Sequence, residues 1–203
     1  MNVSRRIALA LLASTALVSS PARADSHLPP VRDMMIGNPE ATVTVIEYAS
    51  YTCPFCASFH RDVWPLLKAN YIDTGKINFI YREVYFDRYG LWAGMMARCG
   101  GHEKYFGITE VLYQQQRDWI DRENPEATVN NLRTIGKIAG ISEADLDACF
   151  QDRAKAEALV AEFKKNAEAD SVNSTPTLIV NGTNYANMDY GELTAIIDAE
   201  LEN

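Results

Sequence analysis

Cys53-Pro54-Phe55-Cys56 is the segment of this sequence best suited to chemistry. A cysteine reacts as its thiolate, and a helix N-terminus stabilises that form selectively. Pro54 suits the first position of a helix, where the amide hydrogen it lacks would have no partner. That places Cys53 at the cap, facing unpaired backbone N–H groups and the positive end of the helix dipole. Cys56 falls one turn on, where Cβ atoms are about 5–6 Å apart, and a small adjustment brings that within disulfide range. The pair can therefore cycle between dithiol and disulfide without unfolding the chain. The same spacing also serves a local structural disulfide or half of a zinc site. Zinc usually takes four ligands in paired clusters, and neither a second C-x-x-C nor an H-x-x-x-H occurs.

Two distant features favour redox use. Glu47 is an acid within an apolar run, six residues before Cys53. A buried carboxylate is costly unless it is paired or neutralised, and near a cysteine pair it could accept and return the proton of Cys56. The competing reading is a strand-end carboxylate turned to water. Ser174-Thr175-Pro176-Thr177 precedes Leu178-Ile179-Val180. A proline at the entry of an apolar strand can hold a cis bond, a rare conformation that needs a structural reason.

C-P-x-C after an apolar strand, an acid six residues upstream and a Thr-Pro opening a late strand together resemble the DsbA-type branch of the thioredoxin superfamily. The resemblance covers nearly all of the chain after its leader. It implies a thioredoxin fold, an α/β architecture with a central mixed sheet flanked by helices and an all-helical insertion. It implies that Cys53 attacks, Cys56 resolves, Glu47 is the buried acid and Pro176 is the cis-proline beside the disulfide. Thr175, Pro54 and Phe55 then border the substrate. One position departs from the best-known pattern: Phe55 stands where histidine is usual. Phe55 offers the Cys53 thiolate neither a hydrogen bond nor positive charge, which puts a strongly oxidising potential in doubt.

The elements that must position these residues are legible in outline. Val43 to Tyr48 is a near-continuous apolar run, as expected of a buried central strand. The helix after Cys53 carries Phe59, Val63, Leu66 and Leu67 on one face, and Pro65 should kink it. His60 lies about 10 Å along the axis from Cys53, too far to touch the sulfur, so it is expected to be a surface or structural residue, as are His27 and His102. Ile77 to Val84 reads as a second strand parallel to the first, and Val31 to Ile36 as an edge strand. Helical patterns follow over Leu91–Cys99, Glu103–Gln116, Ala127–Ala139, a run capped by Ser142, and Ala154–Ala169, with Trp92, Met95 and Met96 as core candidates. Thr177–Val180 and Thr183–Ala186 flank Asn181-Gly182, a hairpin signal. Asp189 and Glu192 form a capping box for a last helix with Leu193, Ile196, Ile197 and Leu201 as its stripe.

The expected organisation is a signal peptide over residues 1–24, a thioredoxin-fold domain from residues 25–86 and 169–203, and an inserted helical domain over residues 87–168. The leader has Arg5 and Arg6, an apolar stretch from Ile7 to Val18 and a small-x-small Ala22-Arg23-Ala24. Its apolar stretch is too short to span a bilayer. Residues 1–24 hold three of the 19 basic residues and none of the 27 acidic ones, leaving a net charge of −11 on the rest. That balance disfavours nucleic acid and anionic membranes as partners. Cys99 and Cys149 both fall in the helical region, and an exported chain can keep them as a structural disulfide; two buried free thiols are the alternative.

The reading that unites these features is a periplasmic thiol–disulfide oxidoreductase, a monomeric dithiol oxidase that introduces disulfides into unfolded exported proteins. Its redox-active disulfide requires no further cofactor. By the resemblance, a quinone-linked membrane partner reoxidises it. The same chemistry run as an isomerase or reductase is the alternative. Outside that chemistry stand a copper- or zinc-binding periplasmic module and a peptide-holding chaperone with an idle disulfide.

Overall fold

The computed structural model describes residues 28–202; the leader and His27 lie outside them. Strand β1 (Met34–Gly37) and β2 (Val43–Ala49) open the fold, followed by helices α1 (Pro54–Asp62) and α2 (Trp64–Leu67) and then β3 (Ile77–Glu83). Six helices come next: α3 (Arg88–Cys99), α4 (Gly101–Gln114), α5 (Gln116–Trp119), α6 (Pro125–Ile138), α7 (Glu143–Gln151) and α8 (Arg153–Ala169). The chain ends with β4 (Thr177–Val180), β5 (Thr183–Ala186) and α9 (Tyr190–Leu201).

The strands form one mixed sheet in the order β1-β3-β2-β4-β5. β2 runs parallel to β3, and the other pairings are antiparallel. A strand with a neighbour on each side and covered faces must be apolar in both directions. β2 meets that demand: Val43, Val45, Tyr48 and Ala49 are fully buried. β1 is the short edge strand; it begins at Met34 rather than Val31 and runs through Gly37. Gly37 has φ of +103°, and a Cβ there would sit 2.4 Å from the Ile77 carbonyl oxygen, so only glycine closes the strand against β3. At the other edge Asn181 and Gly182 both have positive φ, 43° and 85°, as a tight two-residue hairpin between right-twisted strands requires.

The helix after Cys53 is not one kinked helix. α1 ends at Asp62, Val63 interrupts it, and α2 leads into a wide π turn over Lys68–Ile72. Proline removes the backbone donor at position 65 and crowds the preceding turn, so the break falls just ahead of it. The re-aimed segment buries Trp64 and Leu67 but leaves Leu66 47% exposed, which corrects its placement on the apolar face.

The helical insertion shares one core with the sheet. Tyr51, Phe79 and Tyr81 belong to the same buried cluster as Tyr105, Leu112, Leu132, Ile135 and Leu146. Met95 and Met96 are buried, and Trp92 packs against that cluster. Polar ties reinforce the join. Arg98 on α3 grips Glu83 on β3 with two 2.6 Å contacts, and the Tyr105 hydroxyl donates to the same carboxylate at 2.7 Å. Cys99 and Cys149 are bonded, with Cα atoms 6.1 Å apart, fastening α3 to α7. On the far side Arg82 donates to both Asp33 carboxylate oxygens, to the Tyr48 hydroxyl and to Asp170. That hub ties the N-terminal lead and the end of α8 to the sheet. Among the described residues no helix is long and apolar enough to cross a membrane.

Candidate active site

The site forms where β2 ends and α1 begins. Cys53 caps α1 in an extended conformation, with Pro54 at the first helical position, as the proline's missing donor allows. Its own N–H donates to the Ser50 carbonyl at 3.0 Å. The Cys53 side chain is 8% exposed and that of Cys56 fully buried, and both are unbonded thiols. Pro54 is exposed and Phe55 is 64% exposed, an apolar rim over the pair.

The two thiols are strongly unequal. A hydrogen bond from Cys56 is the largest influence on the Cys53 thiolate; burial opposes it, while the Thr175 side chain and the backbone N–H groups of Cys56 and Phe55 assist. Together they draw the Cys53 pKa from 9.0 down to about 5. Burial pushes the Cys56 thiol far up, and the adjacent Cys53 and Glu47 charges push in the same direction. At neutral pH Cys53 is a buried thiolate at the cap of α1 and Cys56 a protonated donor to it. Such a pair offers one thiolate for nucleophilic attack and one protonated thiol beside it.

Pro176 lies beside this pair. The Thr175–Pro176 peptide bond is cis, and protonated Cys53 donates to the Thr175 carbonyl at 3.5 Å across 122 residues of sequence. Glu47 lies in the middle of β2, opposite Tyr81 on β3 and Leu178 on β4, and is fully buried. Of the residues singled out in the sequence, the structure gathers Cys53, Cys56, Glu47, Thr175 and Pro176 at one place. Cys99 and Cys149 stand apart from it, in the insertion.

Two neighbours escaped the sequence reading. His60, expected on the surface or in a structural role, is buried and approaches Glu47, Nε2 to Oε2, at 3.0 Å. Measuring only its distance to the Cys53 sulfur concealed this, because its partner sits on a strand rather than on its own helix. Gln116, at the start of α5, donates through Nε2 to the carbonyls of Tyr51 and Cys53, both at 2.9 Å. No local pattern marks it. Among the described residues no group of three or more His, Cys, Asp or Glu is gathered as metal ligands would be.

A family model described as thioredoxin matches residues 30–199. The chain belongs to the thioredoxin family. The relatives of this thioredoxin-family protein refine the placement. A Rickettsia typhi protein, whose name assigns it provisionally to the protein-disulfide oxidoreductases, is 33% identical over 172 residues, 84% of this chain and 63% of its own length. The chain thus spans somewhat under two thirds of that relative. Disulfide bond formation protein D of Bacillus subtilis is 24% identical over 176 residues, covering 83% of this chain and 77% of that one. The crystal structure of alpha-DsbA1 from Wolbachia pipientis superposes with a TM-score of 0.77 at 26% identity, covering 87% of this chain and 94% of that one. The architecture, a mixed sheet with a helical insertion, is the DsbA-type version of the thioredoxin fold.

Proposed function

We propose that this protein is a thiol–disulfide oxidoreductase acting as a dithiol oxidase on exported proteins in the periplasm. The observation that carries the reading is the inequality of the two thiols, with Cys53 drawn down to about 5 while burial pushes Cys56 up. A thiolate held in the reduced form makes the corresponding disulfide a stronger oxidant. In the oxidised protein a substrate thiolate attacks Cys53, and Cys56 leaves. The substrate's second thiolate then attacks its own sulfur in the mixed disulfide and expels Cys53 as the stabilised thiolate. Cys53, Cys56, Glu47 and Pro176 are the residues assigned to this chemistry.

Thr175, Pro54 and Phe55 are assigned to substrate contact. The Thr175 backbone beside the sulfur suits an extended chain laid alongside as an added strand, which gives affinity without reading side chains. A broad clientele of unfolded exported proteins fits that mode. A quinone-linked membrane partner is assigned the reoxidation, and the redox-active disulfide is the only prosthetic chemistry required. The leader over residues 1–24 supports export.

The isomerase or reductase reading draws on Phe55, which gives the thiolate no charge or donor. The Cys53 value of about 5 falls between the roughly 7 of thioredoxin and 3.5 of DsbA. Titration of the Cys53–Cys56 couple against glutathione separates the two readings. A potential toward that of DsbA, about −120 mV, is expected; one near thioredoxin's, about −270 mV, overturns the oxidase reading.

A further inference from the structure

One buried titratable side chain, paired with Glu47, has no part in the thiol chemistry described above. The His60 side chain is 3% exposed and that of Glu47 0%. Their single contact joins Nε2 to Oε2, while His60 Nδ1 and Glu47 Oε1 have no hydrogen-bond partner among the described residues. We propose that His60 is a positioning residue that shares with Glu47 the proton exchanged with Cys56 in each redox cycle. The role rests on Cys53–Cys56 being the redox couple.

Charge is the reason. A carboxylate out of water with one hydrogen bond is costly, and a neutral imidazole beside it leaves the pair at −1. One added proton makes the pair neutral, whichever partner holds it.

The redox cycle needs such an exchange. When a substrate thiolate bonds to Cys53, the Cys53–Cys56 bond breaks and its electron pair leaves on Cys56. Cys56 lies fully buried, next to the Glu47 charge, so the new thiolate takes a proton. The His60–Glu47 pair supplies it and becomes a carboxylate bonded to a neutral ring. On reoxidation Cys53 is joined to the acceptor; Cys56 returns the proton to the pair, attacks Cys53, and the acceptor's sulfur leaves with the electron pair.

The groups facing the ring leave little else to move charge. Tyr113 on α4 stacks on His60 at 4.0 Å, and Tyr81 on β3 meets it edge-on at 6.1 Å. Tyr51 packs on both tyrosines, and Trp64 on α2 and Phe59 on α1 close the remaining walls. Burial pushes the Tyr51, Tyr81 and Tyr113 hydroxyls above 10.0, so they keep their protons. The Glu83–Arg98 ion pair is held by Tyr105 behind Tyr51. Glu47, His60 and Cys56 remain.

Nitrogen NMR of the His60 ring in the oxidised and reduced whole protein at neutral pH tests the proposal. The reduced form is expected to show a neutral ring protonated at Nε2, donating to Glu47. The oxidised form is expected to show a doubly protonated ring or the Nδ1–H tautomer. The same Nε2–H ring in both forms overturns the proposal. A kinetic arm uses His60→Gln, which can still donate to Glu47 but cannot hold the proton. Release of glutathione from its mixed disulfide with Cys53, driven by Cys56, should slow by about tenfold or more at neutral pH; an unchanged rate and pH profile overturns the proposal. Failure of Cys53 and Cys56 to form a disulfide under excess oxidised glutathione removes the redox reading and this proposal with it. A couple that cycles over an unchanged ring removes only the role of His60.

Discussion

The side-chain amide of Gln116 reaches 2.9 Å from the Cys53 carbonyl oxygen and 2.9 Å from that of Tyr51. The helical insertion thereby holds the turn that carries Cys53 by its backbone.

Gln116→Leu should leave both carbonyls without their buried donor. The expected loss of stability is about 1–3 kcal/mol, the cost of unsatisfied buried polar groups, read from urea unfolding of the reduced protein. Unchanged stability would mean that water takes over both contacts.

Cys53 alkylation should follow a single ionisation with its midpoint near pH 5, while Cys56 stays silent because burial holds its thiol protonated. The linkage sign follows from the lowered value. Cys53's contribution to the stability of the reduced protein is complete above the unfolded-state pKa of about 8.5 and is lost as pH falls toward 5. The stability difference between reduced wild type and Cys53→Ser should therefore widen from pH 5 to pH 8.5. A difference independent of pH would contradict the lowered pKa.

Thr175→Val removes a hydroxyl that favours the Cys53 thiolate while keeping the side chain's shape and the backbone carbonyl. One hydrogen bond to a charged group contributes about 1.5–3 kcal/mol, or roughly one to two units of pKa. The Cys53 midpoint should move up by about that amount in thiolate absorbance, and the potential of the couple should become less oxidising.

Replacing both Cys99 and Cys149 by serine should cost up to about 4 kcal/mol of stability by the chain-entropy model for a closed loop of this length, given the sequence separation of 50. The bond fastens α3 to α7, away from Cys53. Alkylation of Cys53 should accordingly keep its midpoint, and a large shift would tie the bond to the redox site.

Much of the fold was legible because its signals are local. An apolar run, Asn-Gly between two short strands and an Asp189–Glu192 capping box each depend on sterics and hydrogen bonds within a few residues, and β2, the β4–β5 hairpin and α9 form where those signals lie. The proline after Cys53 similarly determined that the cysteine caps a helix. Element ends were less legible. The break at Val63 and the division of Glu103–Gln116 into α4 and α5 reflect packing against distant partners, which propensity does not encode.

The sequence by itself determined the chemistry available: two cysteines a helical turn apart, one at a cap, with an acid upstream on a strand. Only the tertiary structure decided what each group faces. It set Thr175 against Cys53 from 122 residues away, turned His60 inward to Glu47 and drew Gln116 onto the turn that carries Cys53. Spacing along a helix or strand follows from backbone geometry. The distance between a strand residue and a helix residue depends on how every intervening side chain packs, and no local pattern carries that information.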